Sequence, residues 1–396
     1  MMKKNNDIIV VGSGLIGLFT AYFLAKLGLL VTIIEKKKIH SSNFFLNDIR
    51  TTAISEGTKI FLDKESFWNK IKRYAEPIEK IKVFDRNQSN ELSFINENKK
   101  ALGYIIKNKF LLKKLIKEVL NHKNIQIHDN AKLENIQNNE DKIIVQTTTK
   151  KFFANLLVAA DGKNSFVRNY LKETSFSKNY NQNALVINFL HEKKHNNIAY
   201  EIFSNHGPLA TLPMKKHLNK YNASSMVWSH NPDFIQSLNN IKNDLLLALL
   251  NEQIEDILGK AIRVLNKQSF TLSAHLNNSF ISKRITYVGD SAHSLHPIAG
   301  QGWNVGMRDV EVLLKIINNA EIHGLDIGSD YVCNDYQKQR YFDAFSLYQI
   351  TDKLNSFFML ENYTSKKIRQ FGFNLIKSNK NISSKISNYA MGFSNK

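Results

Sequence analysis

Asp7 opens an unbroken apolar run, Ile8-Ile-Val-Val11, that stops at Gly12-x-Gly14-x-x-Gly17; an apolar segment follows to Gly28, and a second run, Val31-Thr-Ile-Ile34, ends in Glu35. No other feature constrains the fold as tightly. Two β-forming runs separated by a glycine turn and a helix-length segment spell a βαβ unit. Such a unit commits the chain to a parallel sheet with its ligand at the strand C-termini. The pattern predicts strands over 7–11 and 30–35 and an amphipathic helix over 15–27 that ends at Gly28. Within the turn, Gly12 makes the tight bend, Gly14 lets backbone approach a pyrophosphate, and Gly17 lets the helix pack on the strand. The helix N-terminus offers N–H groups to phosphate oxygens, and Glu35 can accept hydrogen bonds from adenosine ribose hydroxyls. A dinucleotide is the expected ligand.

The same stretch, with Lys3 and Lys4 before it, resembles a signal peptide or membrane anchor in hydropathy alone. Glycines interrupt it, Lys26 sits inside it, and no small-residue cleavage site follows, so the βαβ reading is preferred. Downstream, residues 109–121 read as a basic helix, with strand-like runs at Ile125–His128, Ile143–Thr147 and Leu156–Ala160. From about 180 to 275 alternation takes over. The runs Ala184–Leu190, Ala199–Phe203 and Ser224–Trp228 suggest an antiparallel sheet, with a helix around Lys242–Leu250. A buried-type strand, Ile285–Gly289, returns to the first sheet; Asn304–Asn318 reads as a helix, and the chain is mainly helical from Tyr331. The fold class is α/β, a Rossmann-like nucleotide-binding domain with an inserted antiparallel β-sheet substrate domain and C-terminal helices. Its first part is placed at 1–178 and the inserted lobe at 179–276, with strands over 75–105 as candidates to join that lobe. The second part is placed at 277–320 and the helical region at 321–396.

Lys and Arg number 54 against 35 Asp and Glu, a net charge of +19 that raises nucleic acid or an anionic membrane surface as partners. The excess is mostly lysine in a chain also rich in Asn and Ile, a pattern that codon bias in an AT-rich genome produces. No helix-turn-helix, zinc spacing or RNA-binding aromatic motif accompanies it, so nucleic acid is not expected as a partner. The single cysteine, Cys333, excludes an internal disulfide, fits a reducing compartment and reads as an inert thiol. The basic tail from about Lys366 reads as a solvated helical face, or as a segment that docks on a membrane surface or a partner.

Three further segments decide which dinucleotide. Leu157-Val-Ala-Ala-Asp161-Gly162 is a strand ending in an Asp-Gly turn, with Ser165 and Arg168 beyond it. Val288-Gly-Asp290 is another strand ending in an acid, placed to bond ribityl hydroxyls. Gly300-Gln301-Gly302-x-Asn304 sets a flexible loop before a helix that Asn304 is placed to cap. Reduced flavin carries negative charge near N1 and the C2 carbonyl, and a positive helix end beside those atoms stabilises it. No second Gly-x-Gly-x-x-Gly occurs, which argues against a separate nicotinamide domain and for FAD.

These segments resemble the single-component, NAD(P)H-dependent flavoprotein aromatic hydroxylases, and specifically the ubiquinone-biosynthesis hydroxylase family. Further matches are Asp48-x-Arg50-Thr-Thr-Ala53-Ile54, Gly207-Pro208-Leu-Ala-Thr-Leu-Pro213 with Val227-Trp228, and the most distinctive run, His293-x-x-His296-Pro297-Ile-Ala-Gly-Gln-Gly-x-Asn304. Tyr336-x-x-x-Arg340-x-x-Asp343 and Thr351-Asp352-x-Leu354-x-x-x-Phe358 match the family's C-terminal helices. The resemblance covers nearly the whole chain; Trp303 stands where the family commonly has Phe, and Ile54 where it commonly has Leu. It implies that NAD(P)H reduces FAD, that O2 adds at flavin C4a, and that the hydroperoxide oxygen passes to an electron-rich phenol ring. The implied substrate is a polyprenylphenol. The implied location is cytoplasmic, extending to the inner face of the membrane or a biosynthetic complex.

A flavin carries the difficult chemistry, so neither a side-chain triad nor a metal is expected. The polar groups expected at flavin or substrate are Arg50, Asp290, Pro297, Gln301 and Asn304, of which Arg50 and Pro297 are candidates beside the reacting atoms. His293 and His296 lie three apart without further ligands, and Pro297 breaks the helical geometry, so they read as structural or supporting. Competing readings are a hydroxylase of a small soluble aromatic acid, a flavin-binding assembly subunit with little turnover, and a reductase of isoprenoid double bonds. A long apolar tunnel would favour the prenyl tail; a small pocket with an arginine would favour the acid.

Overall fold

The computed structural model describes residues 6–39, 48–85, 90–96, 101–204, 206–360 and 362–393; Lys3 and Lys4 lie outside them. Its first sheet is built on β1 (Asn6–Val11), β2 (Val31–Ile34), β8 (Ile125–His128), β11 (Lys151–Ala159) and β18 (Ile285–Tyr287), ordered β18-β11-β1-β2-β8 and all parallel. β9 (Leu133–Asn138) and β10 (Ile143–Thr147) add antiparallel strands beside β11, and β17 (Ile281–Ser282) closes the edge at β18. Register brings Val11, Ile34, His128, Ala159 and Tyr287 into one row at the strand C-termini. The fingerprint turn, Glu35, Asp161 and Asp290 therefore leave the sheet from the same edge.

Helix α1 (Leu15–Lys26) departs from the amphipathic expectation. Every residue from Gly17 to Ala25 is buried, because the helix lies on the sheet and is covered by α3 (Asn108–Leu120) and α7 (Gly302–Ile322). An all-round apolar helix is what such a buried position demands. Phe19, Tyr22 and Phe23 form an aromatic cluster with Phe67, and the Trp303 ring meets Phe19 edge-on at 6.0 Å, so tryptophan serves there in place of phenylalanine. Gly28, at φ +101°, ends the helix in the left-handed conformation that favours glycine.

The second sheet is ordered β19-β16-β12-β15-β14-β13-β5-β6. Its strands are β5 (Lys80–Asp85), β6 (Asn90–Ile95), β12 (Ser175–His191), β13 (Ile198–Phe203), β14 (Leu209–His217), β15 (Tyr221–His230), β16 (Ala261–Asn277) and β19 (His293–Ser294). All pair antiparallel except β13 with β5. β12 and β16 belong to the second sheet along their whole lengths, 175–191 and 261–277, and pair with each other over most of them. A small third sheet joins β3 (Thr51–Ser55), β7 (Gly103–Lys107) and β4 (Glu76–Ile78).

The two faces of the second sheet differ in side-chain size. On one, Leu185, Ile187, Phe189, Met226 and Trp228 pack under α5 (Pro232–Asn240) and α6 (Asn243–Leu258). On the other, Ala184, Val186, Ala199, Ala210 and Val227 leave space. That face is roofed by α8 (Asp330–Phe358), α9 (Tyr363–Ser378) and α10 (Lys380–Ala390). Arg369 of α9 fixes the roof: its fully buried guanidinium donates to Asp85 Oδ2 on β5 at 2.9 Å and to the Phe357 and Leu360 carbonyls. Arg369→Met takes the guanidinium partner from the buried Asp85 carboxylate and is expected to cost about 3–5 kcal/mol in urea denaturation, with Asp85→Leu in the same chain recovering most of the loss.

Candidate active site

At the C-terminal edge of the first sheet the three fingerprint glycines meet different surroundings. A Cβ on Gly12 (φ +103°) would stand 2.4 Å from the Ala160 carbonyl oxygen, and one on Gly17 would stand 2.2 Å from the Gly12 carbonyl oxygen. Both positions are closed by protein. A Cβ on Gly14 would meet nothing within 4 Å, and the same holds for Gly302 at the start of α7. These two glycines line one cavity of about 1480 Å³, and each opens a helix whose first-turn amides lack intrahelical acceptors. The pairing suits an elongated ligand with phosphates at one end and an electron-accepting ring at the other.

Gly14, Arg50, Asp290, Pro297, Gly300, Gln301, Gly302 and Asn304 all line this cavity. Gly12, Gly17, Glu35 and Asp161 do not line it. Glu35 Oε2 accepts from the Ser13 amide at 2.8 Å and the Ser13 hydroxyl at 2.7 Å, so it braces the fingerprint turn from β2. Asp161 turns toward α4 (Phe166–Tyr170), where its carboxylate accepts from the Val167 amide at 3.2 Å; burial raises its pKa despite hydrogen bonds from Ser165 and Val167. Arg168, beyond it, is equally committed. It donates to the Lys163 and Ser291 carbonyls and faces His275 Nε2 at 2.9 Å, and burial with that cation pushes the His275 pKa down to about 3.

Asn304 corrects the sequence reading. It does not cap α7, which begins at Gly302 with Gln301 as its N-cap residue and no side-chain cap. Its Oδ1 accepts from the Ser55 amide at 3.0 Å, while its Nδ2 donates to the Ala53 carbonyl at 2.9 Å. The side chain thus ties the start of α7 to β3, and what remains for a ligand is the helix backbone. Arg50 is held bidentate by Asp48 (Nε to Oδ1 2.9 Å, Nη2 to Oδ2 2.8 Å) and sits 5.3 Å from the Phe270 ring on β16. The hydrogen bonds that Arg50 donates to Asp48 raise the arginine pKa; burial would raise that of Asp48, but the same hydrogen bonds bring it below the ordinary carboxylate range. Asp290 projects into the cavity, where burial raises its pKa against the pull of His293, Arg50 and Lys163.

Behind this wall His293 and His296 are both buried. His293 Nε2 lies 2.6 Å from Asp309 Oδ2, and His296 Nε2 lies 3.3 Å from Gln182 Oε1 with Tyr180 edge-on to its ring. Burial pushes the His296 pKa down to about 4, so its ring is neutral at physiological pH. Neither belongs to a group of His, Cys, Asp or Glu able to hold a metal among the described residues.

Sequence reasoning missed Glu201. It sits on β13 in the cavity wall, and burial alone pushes its pKa up to about 8. Its signal was a single acid in the alternating run Ala199–Phe203, where the same pattern describes a solvent-facing position. Cys333 is buried on α8, with its thiol pushed up to about 12 by burial.

Residues 5–324 match the FAD binding domain family. The chain is 30% identical over 353 residues to the ubiquinone hydroxylase UbiL of Rhodospirillum rubrum, covering 89% of this chain and 81% of that protein. It is 28% identical over 377 residues to the ubiquinone hydroxylase UbiM of Neisseria meningitidis, covering 93% and 80%. Among solved structures, p-nitrophenol 4-monooxygenase PnpA of Pseudomonas putida superposes with a TM-score of 0.78 at 17% identity over all of both chains, a likeness of fold.

The glycine geometry separates folding from ligand binding. Gly14→Ala is expected to cost no more than about 1 kcal/mol of stability, because its Cβ would meet no protein atom within 4 Å and only the N-cap preference for glycine is lost. It is also expected to weaken FAD binding at least tenfold, about 1.4 kcal/mol. Gly12→Ala should instead fail to give folded protein. The soluble yield and circular dichroism of Gly12→Ala, and thermal denaturation with flavin titration of the Gly14 variant, check the contrast.

Proposed function

Because the chain belongs to the ubiquinone-biosynthesis hydroxylases within the FAD binding domain family, we propose that the ring it hydroxylates is that of a polyprenylphenol intermediate. It is an FAD-dependent aromatic-ring monooxygenase with NAD(P)H as co-substrate. The observation that carries the substrate reading is the cavity. Its volume of about 1480 Å³ serves cofactor and substrate together, so the lining away from the Gly14 and Gly302 ends is what distinguishes the substrate. Its sheet wall is mostly small and apolar, and its roof presents Ile350, Leu354, Phe358, Phe373 and Ile376. Such a lining suits an isoprenoid chain. For an aromatic carboxylate the wall offers Arg50, already held by Asp48, and Lys385 on α10.

When bound, FAD takes reducing equivalents from NAD(P)H and activates O2 for transfer to the ring. The protein's part is binding, orientation and exclusion of water. The first-turn amides of α1 would hold the pyrophosphate, with Gly12, Gly17, Glu35 and Asp161 shaping the turn and strand ends, and Asp290 would bond the ribityl chain. The Gly300-Gln301 turn and the first-turn amides of α7, Gly302 to Asn304, would hold the ring system, with Pro297 and the Arg50–Asp48 pair lining the same cavity. The apolar wall keeps water from the reacting ring, which strengthens those backbone dipoles and limits wasteful side reactions.

The roof also bears on substrate delivery. No described helix is long and apolar enough to cross a membrane, yet α9 exposes Tyr363, Ile368, Phe371 and Leu375 beside Lys366, Lys367 and Lys377. We read this face as a peripheral contact with an anionic membrane that holds the prenylated substrate.

Two measurements test these readings. The purified protein, with its flavin spectrum recorded, is expected to oxidise NAD(P)H in the presence of a short-chain prenylphenol and to give a product one oxygen atom heavier by mass. Addition of oxygen only to soluble aromatic acids would transfer the assignment to that class, and NAD(P)H oxidation without product would favour an assembly role. In liposome flotation, binding is expected to rise with anionic lipid content and fall with salt; no binding at low salt removes the membrane contact.

A further inference from the structure

We propose that Glu201 anchors the substrate by hydrogen bonding to the ring hydroxyl of the phenol, and so selects phenols over aromatic carboxylates. The proposal rests on the hydroxylase reading and adds the residue that recognises the ring. Strand register places Glu201 opposite Val83 on β5 and Ala210 on β14, and Ala210 opposite Val227 on β15. All four line the cavity, so the acid is the polar member of an apolar row across the sheet. Its neighbours on the same face of β13 are Ala199 and Phe203.

Phe203 also places Glu201 relative to the flavin end of the cavity. Phe203 packs in one cluster with Ile298, which follows Pro297 in the turn that leads into α7, and Val83 packs against the same cluster. The acid and the Pro297–Gly302 segment therefore border a common space.

An uncompensated carboxylate in such a wall is costly, and a neutral acid is the way the group is accommodated. The same burial pushes its pKa to about 8. A neutral carboxyl both donates and accepts, which matches a phenol hydroxyl able to do the same. It gives a carboxylate ligand no counter-charge, and once ionised it repels one. The isolated acid thus discriminates by chemistry where the surrounding apolar surface can discriminate only by shape.

The test compares 2-geranylphenol with its methyl ether, which keeps the shape and loses the hydroxyl proton. Binding to FAD-loaded protein is followed by perturbation of the flavin absorbance. The parent is expected to bind the phenol at least tenfold more tightly than the ether. Glu201→Ala, which only removes atoms, is expected to bring that ratio to within twofold of unity while ether affinity changes less than twofold. Glu201→Gln, which keeps a donor and an acceptor, should restore at least a threefold preference. An unchanged preference in Glu201→Ala, equal loss of both ligands, or no preference in the parent would overturn the role of Glu201. Mass analysis of parent turnover with 2-geranylphenol reports independently on the hydroxylase reading: hydroxylated product together with an unchanged preference in the variant sinks only the anchor.

Discussion

Asp309 is the buried charge around which the ring end of the site is assembled. Its carboxylate accepts from the Gly289 amide at 2.9 Å, lies 2.6 Å from His293 Nε2 and accepts from Arg340 Nε at 2.7 Å. Burial would raise its pKa, but His293 and Arg340 bring it below the ordinary carboxylate range. Three segments distant in sequence converge on this one side chain: the strand end carrying Asp290, the α7 helix, and α8. A buried carboxylate is tolerable only with such a set of partners, and removing any one leaves charge without solvation. Tyr336, one turn before Arg340, reinforces the junction by donating to the Tyr287 carbonyl at 2.8 Å.

The junction sets the geometry of the cavity. With the Gly289 amide held, that residue stays at φ +60° and close to Ile16 of α1, while Gly306 of α7 approaches the same isoleucine. Both helices are drawn together on one side chain, which would have to shift to admit a Cβ at either glycine. Their N-termini consequently open into one cavity. The alignment of two helix ends toward one ligand is thus a packing result, fixed before any ligand arrives.

Much of this was readable from residue order because it depends on local pattern. The βαβ unit, the acids at strand ends and the return of Ile285–Gly289 to the first sheet follow from period and turn chemistry. Other features depend on pairings that no local pattern carries. β5 lies parallel to β13 more than a hundred residues away, and only that pairing converts Glu201 from an apparent surface residue into a cavity wall. Asn304 looked like a helix cap because its amide could serve that role. The nearby edge of β3 offers both an acceptor and a donor, Ala53 and Ser55, and wins the side chain. The α1 helix looked amphipathic, but cover by α3 and α7 makes burial on every side the rule.

The side chains around the cavity divide into those already committed and those left open. Asn304 is bound to β3, Glu35 to Ser13, Arg50 to Asp48 and Arg168 to backbone carbonyls. Such commitments cost nothing further when a ligand binds, so the backbone donors they support are held in place in advance. Asp290 and Glu201 differ: both are acids in the cavity wall whose pKa burial raises, and each faces space that a ligand can fill. They stand on different sheets, one beside the flavin-facing segment and one in the wall opposite the roof. On the proposed reading, cofactor and substrate recognition by side chains fall to separate parts of the fold, while α7, anchored through Asp309, keeps the two in register.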